Sequence, residues 1–224
     1  MKNGEIKVLI TDDHDLIREG LKRIISFEED IIVVGEANNG KKAISMIKDY
    51  RPDVLLLDMN MPIMDGLGVL RKLKEENSPL KTIVLTVEND SKTIHDAINI
   101  GADGYVLKDS AGEEIVDAVH SVYRGDKYID KSLVALLFSG IQRPSAKENS
   151  ILNELTEREV DVLFYISRGL SNKEIGEKLF ISEKTVKNYA TNLFRKLGVS
   201  DRVHATILAL QHNIDDYYQK HYKK

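Results

Sequence analysis

The side chains most able to do chemistry fall at the ends of apolar runs in the first half of the chain. They are Asp12 and Asp13, Asp58, Thr86 and Lys108, and each sits at or just after a short run of Val, Ile and Leu. Three carboxylates gathered in one crevice repel each other, a cost that a cation removes. Hard oxygen ligands suit Mg²⁺, which is commonly held by one or two carboxylates, waters and phosphate oxygens. A Lys and a hydroxyl add the charge neutralisation and the donor that a phosphoryl group needs. An Asp carboxylate can itself be the nucleophile and become an acyl phosphate. Charge alone does not settle which Asp reacts; Asp58, closing VLLLD between the acidic pair and Lys108, is the favoured choice. For a lone Asp after a strand, the simpler reading is a helix cap or a solvated loop residue.

The elements that must position these groups follow from the apolar pattern. KVLI (7–10), IIVV (31–34), VLLL (54–57), TIVL (82–85) and GYVL (104–107) are short and nearly continuous, as strands buried on both faces are. Between them lie helix-spaced stripes: Leu16, Ile17, Leu21, Ile24 and Ile25; Ala43, Ile44 and Ile47; Leu67, Leu70 and Leu73; Ile94, Ala97 and Ile98. Ile115, Val116 and Val119 mark a last one over 112–124. Strict alternation predicts an α/β fold with a doubly wound five-stranded parallel sheet. In such sheets sites form outside the carboxyl ends of the strands, so the five polar side chains should share one edge.

The back of the chain reads differently. Residues 130–140 (DKSLVALLFSG) could form a short helix, and 141–153 (IQRPSAKENSILN) read as a linker. From 155 onward no strand run appears, and the pattern predicts a smaller all-α domain of about four helices with a frayed tail. Thr156 with Glu159, and Ser171 with Glu174, have capping-box spacing. Gly176 would let another helix approach closely, and Ser182 caps a helix after the short break Phe180-Ile181. On that helix Val186, Tyr189, Ala190, Leu193 and Leu197 face the core, with Lys184, Lys187, Asn188, Thr191 and Arg195 opposite. Two helices, a tight turn and a basic, amide-bearing face make a helix-turn-helix pattern able to read bases and neutralise phosphates. The competing reading is a solvated face of mixed charge.

Composition bounds these readings. The 224 residues carry 32 Lys+Arg and 36 Asp+Glu, a net charge of −4. Residues 1–130 hold 17 basic and 25 acidic side chains, leaving 15 and 11 in 131–224, so an acidic front precedes a mildly basic back. The chain has no cysteine, which excludes disulfides, Cys-ligated metals and thiol nucleophiles. No apolar run nears membrane-spanning length, and no signal-like stretch precedes the first acids, so a cytoplasmic protein without membrane contact is expected.

Two motif sets carry a resemblance. ITDDH, LLLDMNMPIMDG, VLT and GYVLK resemble the receiver domain of two-component response regulators over residues 6–124. LTEREVDVL, GLSNKEIGEKL, ISEKTVKNY and LFRKLGVSDR resemble the LuxR-type helix-turn-helix of the NarL/FixJ subfamily. The resemblance implies a receiver at 1–126, a linker at 127–153 and a DNA-binding domain at 154–218. It implies that Asp58 accepts a phosphoryl group from a sensor histidine kinase, and that Asp12, Asp13, Asp58 and the backbone carbonyl of Asn60 hold Mg²⁺. Lys108 would pair with the phosphoryl oxygens, Thr86 would swing towards them and Tyr105 would turn inward, unless Tyr105 is simply a half-buried strand aromatic. Lys187, Asn188 and Thr191 would face bases in promoter half-sites of double-stranded DNA. Thr156, Ser171, Asn172, Lys173, Lys184, Thr185 and Arg195 would approach phosphates, and a final helix at about 200–212 would pair two copies in an active homodimer. RNA polymerase is the further implied partner. Three features depart from common members or are left to tune the receiver: Asp109 where Pro often follows the Lys, Tyr189 where His is common, and Asn60 with Glu88 at positions that influence phosphoryl lifetime. An Asp-nucleophile phosphatase, the enzymatic alternative, needs a general acid two residues after the nucleophile; Asn60 cannot serve. A regulator working without phosphorylation is the third possibility.

Overall fold

The computed structural model describes residues 5–87, 91–110, 112–134 and 151–222. The chain divides into two compact units, residues 1–130 and 131–224.

In the first unit, strands β1 (Ile6–Thr11), β2 (Ile31–Ala37), β3 (Val54–Asp58), β4 (Lys81–Thr86), β5 (Gly104–Leu107) and β6 (Tyr128–Ile129) alternate with helices α1 (Asp15–Ile25), α2 (Gly40–Tyr50), α3 (Gly66–Glu75), α4 (Ser91–Ile100) and α5 (Gly112–Tyr123). The strands pair in parallel in the order β2-β1-β3-β4-β5-β6. The order reverses on either side of β1, so β1 and β3 lie centrally and their carboxyl ends open one crevice. One face of the sheet packs Val8, Ile10, Leu56, Ile83 and Val106 against Leu21 and Ile25 of α1 and Ile115 and Val119 of α5. Alternate residues Leu9, Leu55, Leu57 and Val84 are also fully buried. Burial on both faces explains the continuous apolar runs.

Two expectations are corrected here. The sheet has six strands rather than five. β6 pairs Tyr128 and Ile129 with Gly104 and Tyr105; at two residues it is too short to leave an apolar run, and it lies within the stretch read as linker. Leu16 does not belong to the buried stripe of α1 and is 79% exposed. At 3.6 residues per turn it lies about 140° around the helix from Leu21.

The second unit is all helical. A 3₁₀ turn (Ile151–Glu154) precedes α6 (Glu157–Ile166), α7 (Asn172–Leu179), α8 (Glu183–Leu197), α9 (Arg202–Gln211) and α10 (Ile214–Tyr222). Residues 131–134 are also helical, and the rest of the expected 130–140 helix, with most of the linker, falls outside the described residues. Leu163, Phe164, Ile175, Val186, Leu193 and Ala209 form the core. Both capping boxes are closed, at Thr156 and at Ser171. The fifth helix, α10, exceeds the expected four. Its sequence is mostly polar, but Tyr217 is buried and its hydroxyl donates to the Leu152 carbonyl at 3.3 Å and Asn153 Oδ1 at 3.0 Å, while Tyr218 stacks on Phe164 at 3.9 Å. Gly176 makes room for the turn and for the head of the next helix: a Cβ there would stand 2.7 Å from the Ile181 carbonyl oxygen and 3.4 Å from the Glu183 nitrogen of α8. That close approach brings Ser182 to the head of α8. Among the described residues, no helix is long and apolar enough to cross a membrane.

Candidate phosphoacceptor pocket and nucleic-acid interface

Parallel pairing puts the ends of β1, β3, β4 and β5 side by side, and the polar residues there converge. Asp12 and Asp58 are buried, at 0% and 1% exposure. The Lys108 ammonium lies between them, 2.7 Å from Asp12 Oδ2 and 2.9 Å from Asp58 Oδ1. Asp58 Oδ1 also accepts from the Asn60 backbone N–H at 3.2 Å. Asp58 Oδ2 has no hydrogen-bond partner among the described residues. Burial, and then the neighbouring Asp12 charge, push the Asp58 carboxyl above its ordinary value against the opposing pull of Lys108. Burial alone would lower the Lys108 ammonium; hydrogen bonds to the two carboxylates outweigh it and hold the group above its usual value.

Backbone details fix this geometry. Gly66 heads α3 beneath the strand end, where a Cβ would stand 2.5 Å from the Asp58 carbonyl oxygen. Lys108 is held as the chain leaves β5, its N–H donating to the Thr86 carbonyl at 2.7 Å. Thr86 is buried, yet among the described residues its hydroxyl makes only a long 3.4 Å bond to the Val87 carbonyl. Tyr105 is not half-buried. It is 1% exposed, and its hydroxyl donates to the carbonyls of Ala97 at 3.1 Å and Ala102 at 3.3 Å, so the inward position lies occupied in this structure. Glu88 lies outside the described residues.

Sequence reasoning missed three contributors. Asp130, 1% exposed, accepts from the Leu107 N–H at 3.2 Å and from the Ser110 hydroxyl, bracketing the turn that carries Lys108. Arg18 donates to the Asp12 carbonyl at 2.7 Å, and its place one turn into α1 was the available signal. His14 sits beside the pocket, its Nδ1 2.8 Å from Asp13 Oδ1 and 3.1 Å from Asp12 Oδ1. Asp12, Asp13, His14 and Asp58 each offer a ligand atom, and these four lie within 4.8 Å of one another. An acidic group with a buried, unpartnered carboxylate oxygen fits a divalent cation.

In the second unit, Ser182 caps α8 by accepting from the Thr185 N–H. Lys184, Lys187, Asn188, Thr191 and Arg195 are exposed together on one side, while Val186, Ala190, Leu193 and Leu197 are buried on the other. Thr185 is half-buried, 2.8 Å from Ser182 by its hydroxyl. Asn172 is half-buried and Lys173 exposed at the start of α7. The Thr156 and Ser171 hydroxyls already donate to Glu159 and Glu174, at 2.9 and 2.8 Å, inside their capping boxes. The boxes do more than cap. Glu159, nearly buried, also receives Lys196 of α8 at 2.7 Å, tying the start of α6 to the end of the exposed helix. Burial alone would raise the Glu159 carboxyl, but Lys196 and Thr156 hold it below its ordinary value. Glu174 is held low in the same way by Lys131 and Ser171.

A family model described as the response regulator receiver domain matches residues 8–120, and one described as bacterial regulatory proteins of the luxR family matches 153–209. This chain belongs to the response regulators. The NarL nitrate/nitrite response regulator of Escherichia coli K12 is 38% identical over 215 residues, covering 96% of this chain and 100% of that protein. LnrK of Bacillus subtilis, a transcriptional regulatory protein, is 37% identical over 217 residues, covering 93% of this chain and 98% of its own. The heme-sensing two-component response regulator ChrA has a solved structure covering 95% of this chain and 100% of its own, at TM-score 0.55 and 33% identity. RcsB, solved as two dimers bound to two DNAs, matches at TM-score 0.57 and 26% identity over 93% of this chain and 99% of its own. The response regulator is therefore a two-component transcription factor rather than an enzyme, with a receiver followed by a LuxR-type helix-turn-helix unit.

Proposed function

We propose that Asp58 is the phosphoacceptor and that its modification by a sensor histidine kinase controls DNA binding through α8. The observation that carries this is the buried Asp58 carboxylate, with Oδ2 unpartnered and Oδ1 facing Lys108. The Asp58 oxygen attacks phosphorus as the phosphorus–nitrogen bond of the kinase phosphohistidine breaks, the electron pair leaving with the imidazole. Asp12, Asp13, Asp58 and the Asn60 carbonyl would hold Mg²⁺, which supplies charge neutralisation for the carboxylates and phosphoryl oxygens. Lys108 shifts its hydrogen bonding from the carboxylates to those oxygens. The Thr86 hydroxyl, weakly bonded as it stands, turns to donate to one of them. Tyr105 of β5 stays inward, its hydroxyl held by the Ala97 and Ala102 carbonyls.

On the output side, Lys187, Asn188 and Thr191 read bases. Lys184, Thr185, Arg195, Lys173, Asn172, Thr156 and Ser171 approach phosphates, the last two through capping boxes that already engage their hydroxyls. The second unit's mild positive charge gives one copy little electrostatic affinity. Phosphorylation accordingly frees the helix-turn-helix unit or pairs two of them through α9 on neighbouring half-sites, where RNA polymerase is the further partner. The site of action is the cytoplasm. The test is promoter-DNA affinity with and without a beryllofluoride acyl-phosphate mimic, repeated with Asp58→Ala. Mimic-induced tightening that vanishes in the variant is expected; equal affinities throughout overturn the reading.

A further inference from the structure

His14 occupies the N-cap position of α1 with extended backbone, where a side chain normally turns back to accept a helix N–H. Its imidazole makes no such bond. The ring turns instead to the acidic pocket, its Nδ1 2.8 Å from Asp13 Oδ1 and 3.1 Å from Asp12 Oδ1. The backbone of the same residue donates to Asp12 Oδ1 at 2.8 Å, so ring and carboxylate are fixed on one turn of chain. In the same cluster Asp58 Oδ2 is buried without a partner among the described residues. The cation pocket is thus bounded by carboxylates within and by an imidazole, 64% exposed, at its rim.

We propose that His14 is an additional ligand of the divalent cation, and that it gives this pocket a preference for Mn²⁺ or Co²⁺ over Mg²⁺. The inference rests on the cation-binding reading of Asp12, Asp13 and Asp58. Mg²⁺ favours oxygen donors and keeps its waters. Imidazole nitrogen suits borderline transition ions, whose affinity for a mixed N/O site rises from Mn²⁺ to Co²⁺. All four candidate donor atoms lie within 4.8 Å of one another, a spread that one ion can bridge. To ligate, Nδ1 gives up the N–H that now faces Asp13 and Asp12, and the neutral ring keeps its proton on Nε2. The uncharged nitrogen would then replace one bound water and leave the charge balance for an incoming phosphoryl group unchanged.

The experiment uses the full chain loaded with Mn²⁺. Free and bound Mn²⁺ are first counted by continuous-wave electron paramagnetic resonance, and bound Mn²⁺ is then read by pulsed echo-modulation spectroscopy. Nitrogen-14 modulation of a directly bound imidazole is expected, changing to the nitrogen-15 pattern when histidine alone is labelled and vanishing in His14→Ala. The same variant should lose about 10-fold in Mn²⁺ and Co²⁺ affinity, with a smaller loss for Mg²⁺. Bound Mn²⁺ without histidine nitrogen coupling would overturn the role of His14 while leaving the acidic site intact. Absence of binding of both Mn²⁺ and Mg²⁺, the latter followed by calorimetric titration, would overturn both, and Mg²⁺ binding without Mn²⁺ binding would overturn the role of His14 alone.

Discussion

Replacing Lys108 with Met tests whether the pocket is held together by one ammonium. The lysine side chain is 9% exposed, and its nitrogen lies 2.7 Å from Asp12 and 2.9 Å from Asp58, whose side chains are 0% and 2% exposed. Met keeps the volume and removes the charge, leaving two buried carboxylates facing each other. Removing one partner of a buried ion pair costs about 3–5 kcal/mol, a large part of a domain's total of roughly 5–15 kcal/mol. For a unit of this size each kcal/mol moves the midpoint by about 3–5 °C, so the receiver should melt roughly 9–25 °C lower. All the described strands belong to the receiver, so the infrared strand band of the full chain follows its unfolding alone.

Two controls sharpen the test. Asp58 is already pushed upward by burial, and the loss of Lys108 pushes it further. A carboxyl raised on folding destabilises at high pH and is relieved as the pH falls towards its folded value, so the deficit of the variant should shrink on acidification. Asp12→Asn added to Lys108→Met removes the repulsion and should recover much of the loss. A midpoint within about 3 °C of the parent, or a double variant less stable than the single one, would refute the electrostatic account.

Glu159→Ala should lower the stability of the helical unit by about 2–3 kcal/mol, since one side chain closes a capping box and receives Lys196. Because the folded carboxyl is held below its ordinary value, this contribution is full above the unfolded carboxyl's range and fades as the pH drops through the folded value, where parent and variant should converge in circular-dichroism melts. Gly66→Ala should weaken divalent-cation binding and lower receiver stability, because the new methyl must displace the Asp58 carbonyl from 2.5 Å; calorimetric titration with unchanged affinity would sink it. Phe180→Asn should raise the helical unit's stability by up to about 1 kcal/mol, since Phe180 combines a φ of 57° with 95% exposure; a lower midpoint would assign the ring a packing role.

The legible parts of the chain are those where one physical constraint acts alone. Strands buried on both faces write unbroken Val, Ile and Leu runs, so β1, β3, β4 and β5 were readable, and their ends located Asp12, Asp58, Thr86 and Lys108. Capping boxes act over four residues and were equally plain at Thr156 and Ser171. What escaped depends on tertiary context. β6 exists because Tyr128 and Ile129 find the free edge of β5, and two residues carry no period. α10 is amphipathic through buried Tyr217 and half-buried Tyr218, whose hydroxyls find oxygen acceptors, so a polar-looking run hides a core face. The dual bond of Glu159, to its own cap and to Lys196, joins positions far apart in sequence and no local spacing announces it.

The energy available to the switch is set by the same pocket. Moving a two-state equilibrium from 1:99 to 99:1 takes about 5.5 kcal/mol of differential binding. Turning Thr86 from its 3.4 Å bond to a phosphoryl oxygen exchanges one weak neutral hydrogen bond for a charge-assisted one, a gain of about 1–2 kcal/mol. Thr86 alone therefore cannot drive the transition. The larger source is Lys108. Its ammonium is shared between two carboxylates, and the phosphorylation proposed for Asp58 would convert one of them into an acyl phosphate with new oxygens in the same low-dielectric space. Asp58 is buried with one oxygen unpartnered among the described residues, a cost that a bound cation would offset in part and that conversion to an acyl phosphate would offset further. On the proposed reading, the part left to phosphorylation is the differential free energy available to the switch.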